Sequence, residues 1–436
     1  TVVRGGVGLF AGRPAYVWLS NAYSNSGVEQ ANLDCFGPSP ELTAAYTGPA
    51  TVLDACPTTG APVPGIPRIN AFDPDFKFQQ NWKLALGLDQ QLPWGMVGTL
   101  DLLYTMARNT LYYTDENLAG PTGAVVTGEG NRVLYGDVTG GFGDEDLIDG
   151  TVESNVLFGQ NPGAVNSDMS EDRSYQITAQ LQKRFANSLE FNAGYTFTDA
   201  ENLFDLTSST ATSQYGFAVL DGLHTNRNRR TSVFERRHKL TLSGSADIPL
   251  PESWPLDANL SVIYVGVSGS PYSYIVDGDV NADGIGDGRQ QNDQFYVPTG
   301  ASDITLDPGS DPYQDLEDLI QAEPCLREQR GQLNERNSCR NPWANFVNTR
   351  LAFRIPTYQG ATLELAWDIF NVLNFIDGDW GLVKRTGAFS GTEIVELEGY
   401  DAVNDRGIYS LSLPNFERVQ DNASRWRMQF GAKLTY

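Results

Sequence analysis

The chain has 436 residues, a formal net charge of -24 and a sequence pI near 4.4, which argues against a nucleic-acid partner because phosphate binding needs clustered Lys and Arg. With 40% hydrophobic and 19% charged residues, there is material for two soluble domains or for one large barrel. No stretch approaches the roughly 18 uninterrupted apolar residues that a spanning helix needs, so any membrane crossing is made by strands.

From its first residues the chain reads as strand, and period-two alternation places ten strands at 1–20, 76–92, 96–114, 172–186, 188–201, 233–249, 256–268, 344–356, 361–375 and 423–436. Trp82, Leu84, Leu86 and Leu88 alternate with Lys83, Asp89 and Gln91. Tyr175, Ile177, Ala179, Leu181 and Phe185 alternate with Gln176, Thr178, Gln180, Gln182 and Arg184. Leu189, Phe191, Ala193, Tyr195 and Phe197 oppose Glu190, Asn192, Thr196 and Thr198. In the last segment Trp426, Met428, Phe430, Ala432, Leu434 and Tyr436 point one way, while Arg425, Arg427, Gln429, Lys433 and Thr435 point the other. A soluble sandwich alternates too, but these segments are longer than the usual 5 or 6 residues of soluble strands and suffice for a tilted crossing of about 9 to 11. Aromatics such as Trp82, Trp94, Tyr195, Trp254, Trp343, Trp367 and Trp426 sit near their ends, as an interfacial girdle requires.

Connections alternate between short and long. The long ones, 21–75, 115–171, 202–232, 269–343 and 376–422, hold most of the acid; Asp115 to Asp172 carries Arg132 as its one basic residue. Short turns on one side and long loops on the other are the asymmetry of outer-membrane barrels, and ten crossings return Tyr436 to the periplasmic side on which Thr1 starts. The predicted fold is therefore an all-β transmembrane antiparallel barrel sheet with extracellular loops, located in a bacterial outer membrane and in contact with its lipid.

Four cysteines form two sequence-local pairs within loops, Cys35 with Cys56 and Cys325 with Cys339, which reads as two loop-stapling disulfides in an oxidising compartment; the alternative is free thiols or a metal site, without CxxC spacing to favour it. The run Asp279-Val-Asn281-Ala-Asp283-Gly284-Ile285-Gly-Asp287 repeats oxygen side chains at every second position around a glycine, the ligand spacing of a calcium loop. Asp279, Asn281 and Asp283 would offer side-chain oxygens, Ile285 its carbonyl, and Asp287 a further ligand. Gln290 replaces the usual closing Glu, for which Asp293 is the substitute. The bland alternative is an acidic, glycine-rich turn.

Arg227, Arg229, Arg230, Arg236 and Arg237 lead from an outer loop into a strand, either as a site for lipopolysaccharide phosphate or an anionic cargo, or as partners of the surrounding acids. Asp315 to Gln321 reads as a short helical cap. His224 and His238, near one rim, raise a rival reading as a ten-stranded outer-membrane protease, but His238 takes the lipid-facing parity of Leu240 and Leu242. No catalytic residues are assigned, and a non-enzymatic barrel is expected; a passive porin or adhesin is the other alternative.

The segment Leu363-Glu-Leu-Ala-Trp-Asp-Ile-Phe-Asn-Val-Leu-Asn374, followed by Arg425-Trp-Arg-Met-Gln-Phe-Gly-Ala-Lys-Leu-Thr-Tyr436, resembles the end of TonB-dependent receptors. Arg4-Gly-Gly-Val-Gly-Leu-Phe10, Gly278-Asp-Val-Asn-Ala-Asp-Gly284, and Cys325 to Gly331 with Asn337 to Arg340 are similar to the Oar-like group among them. The resemblance implies that residues 1–436 are the carboxy-terminal part of a 22-stranded, plugged barrel. The plug and the TonB-contacting segment then lie in a preceding part of a larger protein or in a second chain. It also implies Trp426, Met428, Phe430, Leu434 and Tyr436 as the terminal assembly signal, and import of a small-molecule, oligosaccharide or peptide ligand by coupling to TonB. A receptor with a surface lipoprotein lid is the nearest related case.

Overall fold

The computed structural model describes the chain outside residues 14, 25, 27–32, 35–62, 65–67, 140–143, 150–153, 161–171, 186–188, 287–289 and 388–390. Ten long strands form one antiparallel path in chain order: β1 (Val2–Ala11), β2 (Gln80–Leu92), β3 (Met96–Arg108), β4 (Arg173–Arg184), β5 (Glu190–Asn202), β6 (His238–Ile248), β7 (Asp257–Val267), β8 (Ala344–Pro356), β9 (Thr362–Phe370) and β10 (Arg427–Thr435). The short ladder Arg230–Thr231 adds an eleventh strand beside β5.

Register turns the alternation of each strand into two continuous faces. Trp82 pairs with Met106, Leu84 with Tyr104 and Leu86 with Leu102, and Leu102 in turn pairs with Ile177. At the other end Leu365 pairs with Ala432 and Trp367 with Phe430, whose rings stack at 5.8 Å. The opposite face is polar: Arg4 bonds Asp89 and Asp101, and Arg350 reaches Glu364 at 3.0 Å and Asp368 at 3.1 Å. Leu86, Phe191 and Tyr195 lie 40–49% exposed on the apolar face, and Phe430 75%. Such a band in water would forgo roughly 25 cal/mol per Å² of apolar area, so its solvent is lipid.

Three predicted boundaries are corrected. The strand expected over 1–20 ends at Ala11 and Tyr16–Ser24 is helical, because Tyr16, Val17, Trp18 and Leu19 are consecutive and no longer alternate. The strand expected over 96–114 divides at Asn109, where a left-handed backbone (φ 57°) turns the chain, and Leu111–Asp115 joins a different sheet. In the same way Asn371 (φ 55°) ends β9, and Val372–Ile376 is helical.

The long connections all leave the same end of the sheet, and they are more than acidic loops: their described residues fold together as a cap. Tyr274–Asp277, Thr392–Asp401, Arg406–Leu411 and Thr305–Leu306 make a four-stranded sheet. Against it packs the helix Tyr313–Ala322, where the expected 315–321 cap lies; Leu316, Leu319 and Ile320, spaced three and four apart, bury with Val276, Val297 and Ile394. Cys325 and Cys339 form a disulfide beside this core, with 5.2 Å between Cα atoms. The Cys35–Cys56 pair lies outside the described residues. A second core gathers Tyr112, Tyr113, Val156, Phe204 and Tyr215.

Candidate functional site

The turn that begins at Asp279 lies where the two cap cores meet a third cluster containing Val126, Leu134 and Ala282. Ala282 (φ 54°) and Gly284 (φ 78°) bend the backbone, so that the Asp279 carboxylate accepts the amides of Asp283 at 3.1 Å and Gly284 at 2.8 Å. Asp283 Oδ1 accepts the Ile285 amide, and its Oδ2 meets His224 Nε2 at 2.6 Å and the side-chain amides of Asn281 and Asn292. Asp293 accepts the amides of Val280 and Asn281 and faces Arg132 at 3.3 Å.

The structure thus brings together Asp279, Asn281 and Asp283 with Asp293, while the Ile285 side chain packs on the second core and Asp287 lies outside the described residues. Burial, with the charges of Asp283 and Asp293, pushes the Asp279 carboxyl well above the usual carboxylate range. Burial also raises Asp293, to about 7, against the pull of Arg132. Asp283 differs: burial raises it, but the hydrogen bonds it accepts from His224, Asn292 and Asn281 outweigh that and hold it low. The donor set is all oxygen, the chemistry of a hard cation. In this arrangement those oxygens serve hydrogen bonds, and no group of three His, Cys, Asp or Glu side chains among the described residues converges as a metal cage. Asp115, Glu145 and Asp283 border a polar cavity of about 30 Å³ beside the turn, with Arg68 and Tyr215 on its wall, room for about one water-sized occupant.

His224 is 4% exposed. Its Nε2 must carry the proton that Asp283 accepts, leaving Nδ1 to accept from Tyr215 Oη at 2.7 Å. Burial lowers its pKa more than Asp283 raises it, which favours the neutral ring. His238 instead stacks on Trp343 at 5.9 Å and meets Tyr195 Oη at 2.8 Å on the apolar face of the sheet. The two histidines share no partner among the described residues: His224 meets an aspartate, and His238 meets aromatic side chains.

The arginine run separates into different roles. Arg229 pairs with Glu201, Arg230 with Asp221 and Glu335, and Arg237 with Glu235. Arg227 is buried over the Phe204 ring, 4.2 Å from its centroid, and donates to the Ala218 carbonyl. Arg236 reaches backbone carbonyls of Val233 and Glu235.

Several joints of the cap escape sequence reasoning. Arg132 is buried between Glu129 and Asp293, and Glu129 also accepts Tyr409 Oη at 2.6 Å and the Gly407 amide, fastening loop 115–171 to loops 269–343 and 376–422. Arg336 joins Asp205 at 3.1 Å, tying loop 269–343 to loop 202–232 as well. One signal was present: a lone arginine in a long acidic stretch.

The sequence matches the outer membrane beta barrel domain over residues 1–377. The chain belongs to this family. This outer-membrane barrel protein therefore meets lipid along the apolar face of its sheet, and its cap stands at the end where the long loops leave. Among proteins of curated function none matches the sequence. Among solved structures it is similar to the outer membrane transporter YddB from Escherichia coli, at 10% identity and a TM-score of 0.39, over 86% of this chain and 35% of that one. The chain thus spans about a third of the length of that transporter.

Proposed function

We propose that this chain is the carboxy-terminal barrel portion of an Oar-like TonB-dependent receptor, which captures a ligand on its extracellular cap and imports it without enzymatic chemistry. The observation that carries the reading is the cap itself. Five loops from one end of the sheet share apolar cores and buried ion pairs above a polar inner face, which suits a receptor that holds a shaped surface over its lumen better than a passive pore that needs an open mouth. The sheet edges support a larger barrel. Among the described residues β1 pairs only with β2 and β10 only with β9, and unpaired backbone groups in lipid cost several kcal/mol each, so further strands complete the wall in the 22-stranded reading. TonB, acting through a plug, and a surface lipoprotein are partners of that whole receptor.

The test is uptake by cells expressing the full-length protein, offered labelled peptides, oligosaccharides and iron chelates. Import of one class that stops when the proton-motive force is collapsed supports the receptor. Uptake indifferent to that force, with stepwise ion conductance in planar bilayers, would establish the passive barrel instead.

The same proposal includes calcium at the turn. Among the described residues no basic side chain pairs with the half-buried Asp279, and the adjoining cavity is bordered by Asp115, Glu145 and Asp283; a divalent ion held by Asp279, Asn281, Asp283, the Ile285 carbonyl and Asp287 would offset that charge and stiffen loop 269–343. Chelation should expose 269–343 to protease, and Asp283→Ala should do the same in the presence of calcium. Unchanged cleavage in both leaves the turn as an ordinary acidic one.

A further inference from the structure

In a chain with 54 acidic and 30 basic residues, arginines that meet no carboxylate are against the odds, yet two of them stand side by side in the cap. Arg385 and Arg418 stand directly opposite one another in the ladder Lys384–Arg385 with Arg418–Val419, which places both side chains on one face, and both line an open cleft with Gln420, Asp421 and Asn422. Asn341 ties this ladder to the strand of Arg340, its Oδ1 accepting the amides of Thr386 at 2.7 Å and Gly387 at 3.3 Å. Arg236 adjoins the group: besides burial, the charges of Arg385 and Arg340 depress its pKa.

The local acids do not neutralise this cluster. Glu235 is fully buried, and its carboxylate serves Arg237, Arg340 and the Ala200 amide. Glu417 pairs with Lys384 at 3.0 Å. Asp421 lines the cleft, but among the described residues none of Arg236, Arg385 and Arg418 has an ion pair with any carboxylate, and the buried Arg340 Nη1 has no hydrogen-bond partner. Like charges held side by side cost free energy that a bound anion would offset.

The height of the cluster indicates which anion. Arg236 precedes β6 by two residues, and β6 opens at His238, stacked on the 48%-exposed Trp343. From Arg418 the chain runs through the helix Asp421–Ser424 to Trp426, which packs edge-on to Phe375 at 5.1 Å; Trp426, Phe375 and Trp380 are exposed as well. Exposed aromatics at strand ends mark the membrane interface, so the arginines sit just outside the acyl region, at headgroup level.

We propose that Arg385 and Arg418 form a binding site for a phosphate group of an anionic lipid in the outer leaflet. Guanidinium groups suit this because their planar donors engage phosphate oxygens in pairs. The site shares no residue with the acidic turn, and it does not depend on what the receptor imports.

The experiment uses the full-length protein in nanodiscs of zwitterionic lipid, doped with a phosphorylated glycolipid or its dephosphorylated counterpart, and reads bound glycolipid per protein by native mass spectrometry. The wild type should prefer the phosphorylated form by about tenfold, and the preference should weaken as salt rises. Arg385→Gln with Arg418→Gln should abolish it, while Arg4→Gln, on the inner face, should leave it intact. A heat-dependent gel shift reports that each variant is folded, and the salt dependence of the wild type decides the matter if the double variant fails to assemble. Equal retention of the two glycolipids by the wild type, or an undiminished preference in the folded double variant, overturns the proposal. So does displacement by inorganic phosphate at equal concentration, which would mark a site for soluble anions.

Discussion

Replacing Arg132 by Met should open the cap while sparing the barrel. The guanidinium is 4% exposed and is shared between Glu129 at 3.1 Å and Asp293 at 3.3 Å, with a further bond to the Gln294 carbonyl at 2.7 Å. Met fills much of the same volume, so the loss is mainly electrostatic: two buried carboxylates lose their shared cation. Breaking a buried pair from one side costs about 3–5 kcal/mol, and the Tyr409 and Gly407 donors that remain on Glu129 place the expected cost toward the lower end. A local destabilisation of about 3 kcal/mol is roughly a hundredfold rise in the opening equilibrium. Hydrogen exchange in nanodiscs should therefore show faster exchange around Arg132 and Arg406–Leu411, with the ladders of β8 and β9 unchanged. Adding Glu129→Gln should recover part of the loss, because it removes one of the orphaned charges. Exchange in the cap within threefold of wild type would refute the reasoning, as would equal acceleration in the membrane strands.

Phe430→Arg should impair assembly, since a cation near the bilayer midplane costs about 2–4 kcal/mol, whereas Gln429→Arg faces Asp368 across the polar side and should assemble normally; a gel-mobility assay in which both behave alike would show the faces to be misassigned. Asp221 accepts from Arg230 at 2.8 Å and from the Arg336 amide at 3.1 Å; although burial raises it, these partners hold its pKa below the ordinary value of 3.8. Its contribution is thus complete above pH 3.8 and is lost as pH falls through the lower folded value, so acid should loosen loop 202–232, and Asp221→Asn should loosen it already at neutral pH, by protease mapping.

Most of the membrane sheet was legible in the sequence because its rules are local. Period two sets which side chains meet lipid, and the lengths of the connections set which end carries the cap. The helix at Tyr313–Ala322 and the Cys325–Cys339 bridge are local in the same sense, the first through its three-and-four spacing and the second through a separation of 14 residues. The two asparagines that end strands early, Asn109 and Asn371, were unreadable because a left-handed residue leaves no mark on alternation.

The sequence by itself determined the ten alternating segments, their two faces, and an oxygen-rich turn with the residue types of a cation loop. Only the tertiary structure decided that the acidic loops form a cap with cores of their own, since short apolar runs such as Leu111–Tyr113, Leu203–Phe204, Tyr274–Val276 and Ile394–Val395 lie far apart along polar chain and acquire a common interior only when distant loops meet. It also decided the partners of the buried charges. His224 with Asp283, Arg132 with Asp293 and Arg336 with Asp205 are separated by 59, 161 and 131 residues. Coulombic pairing depends on distance in space and burial, neither of which has a period along the chain.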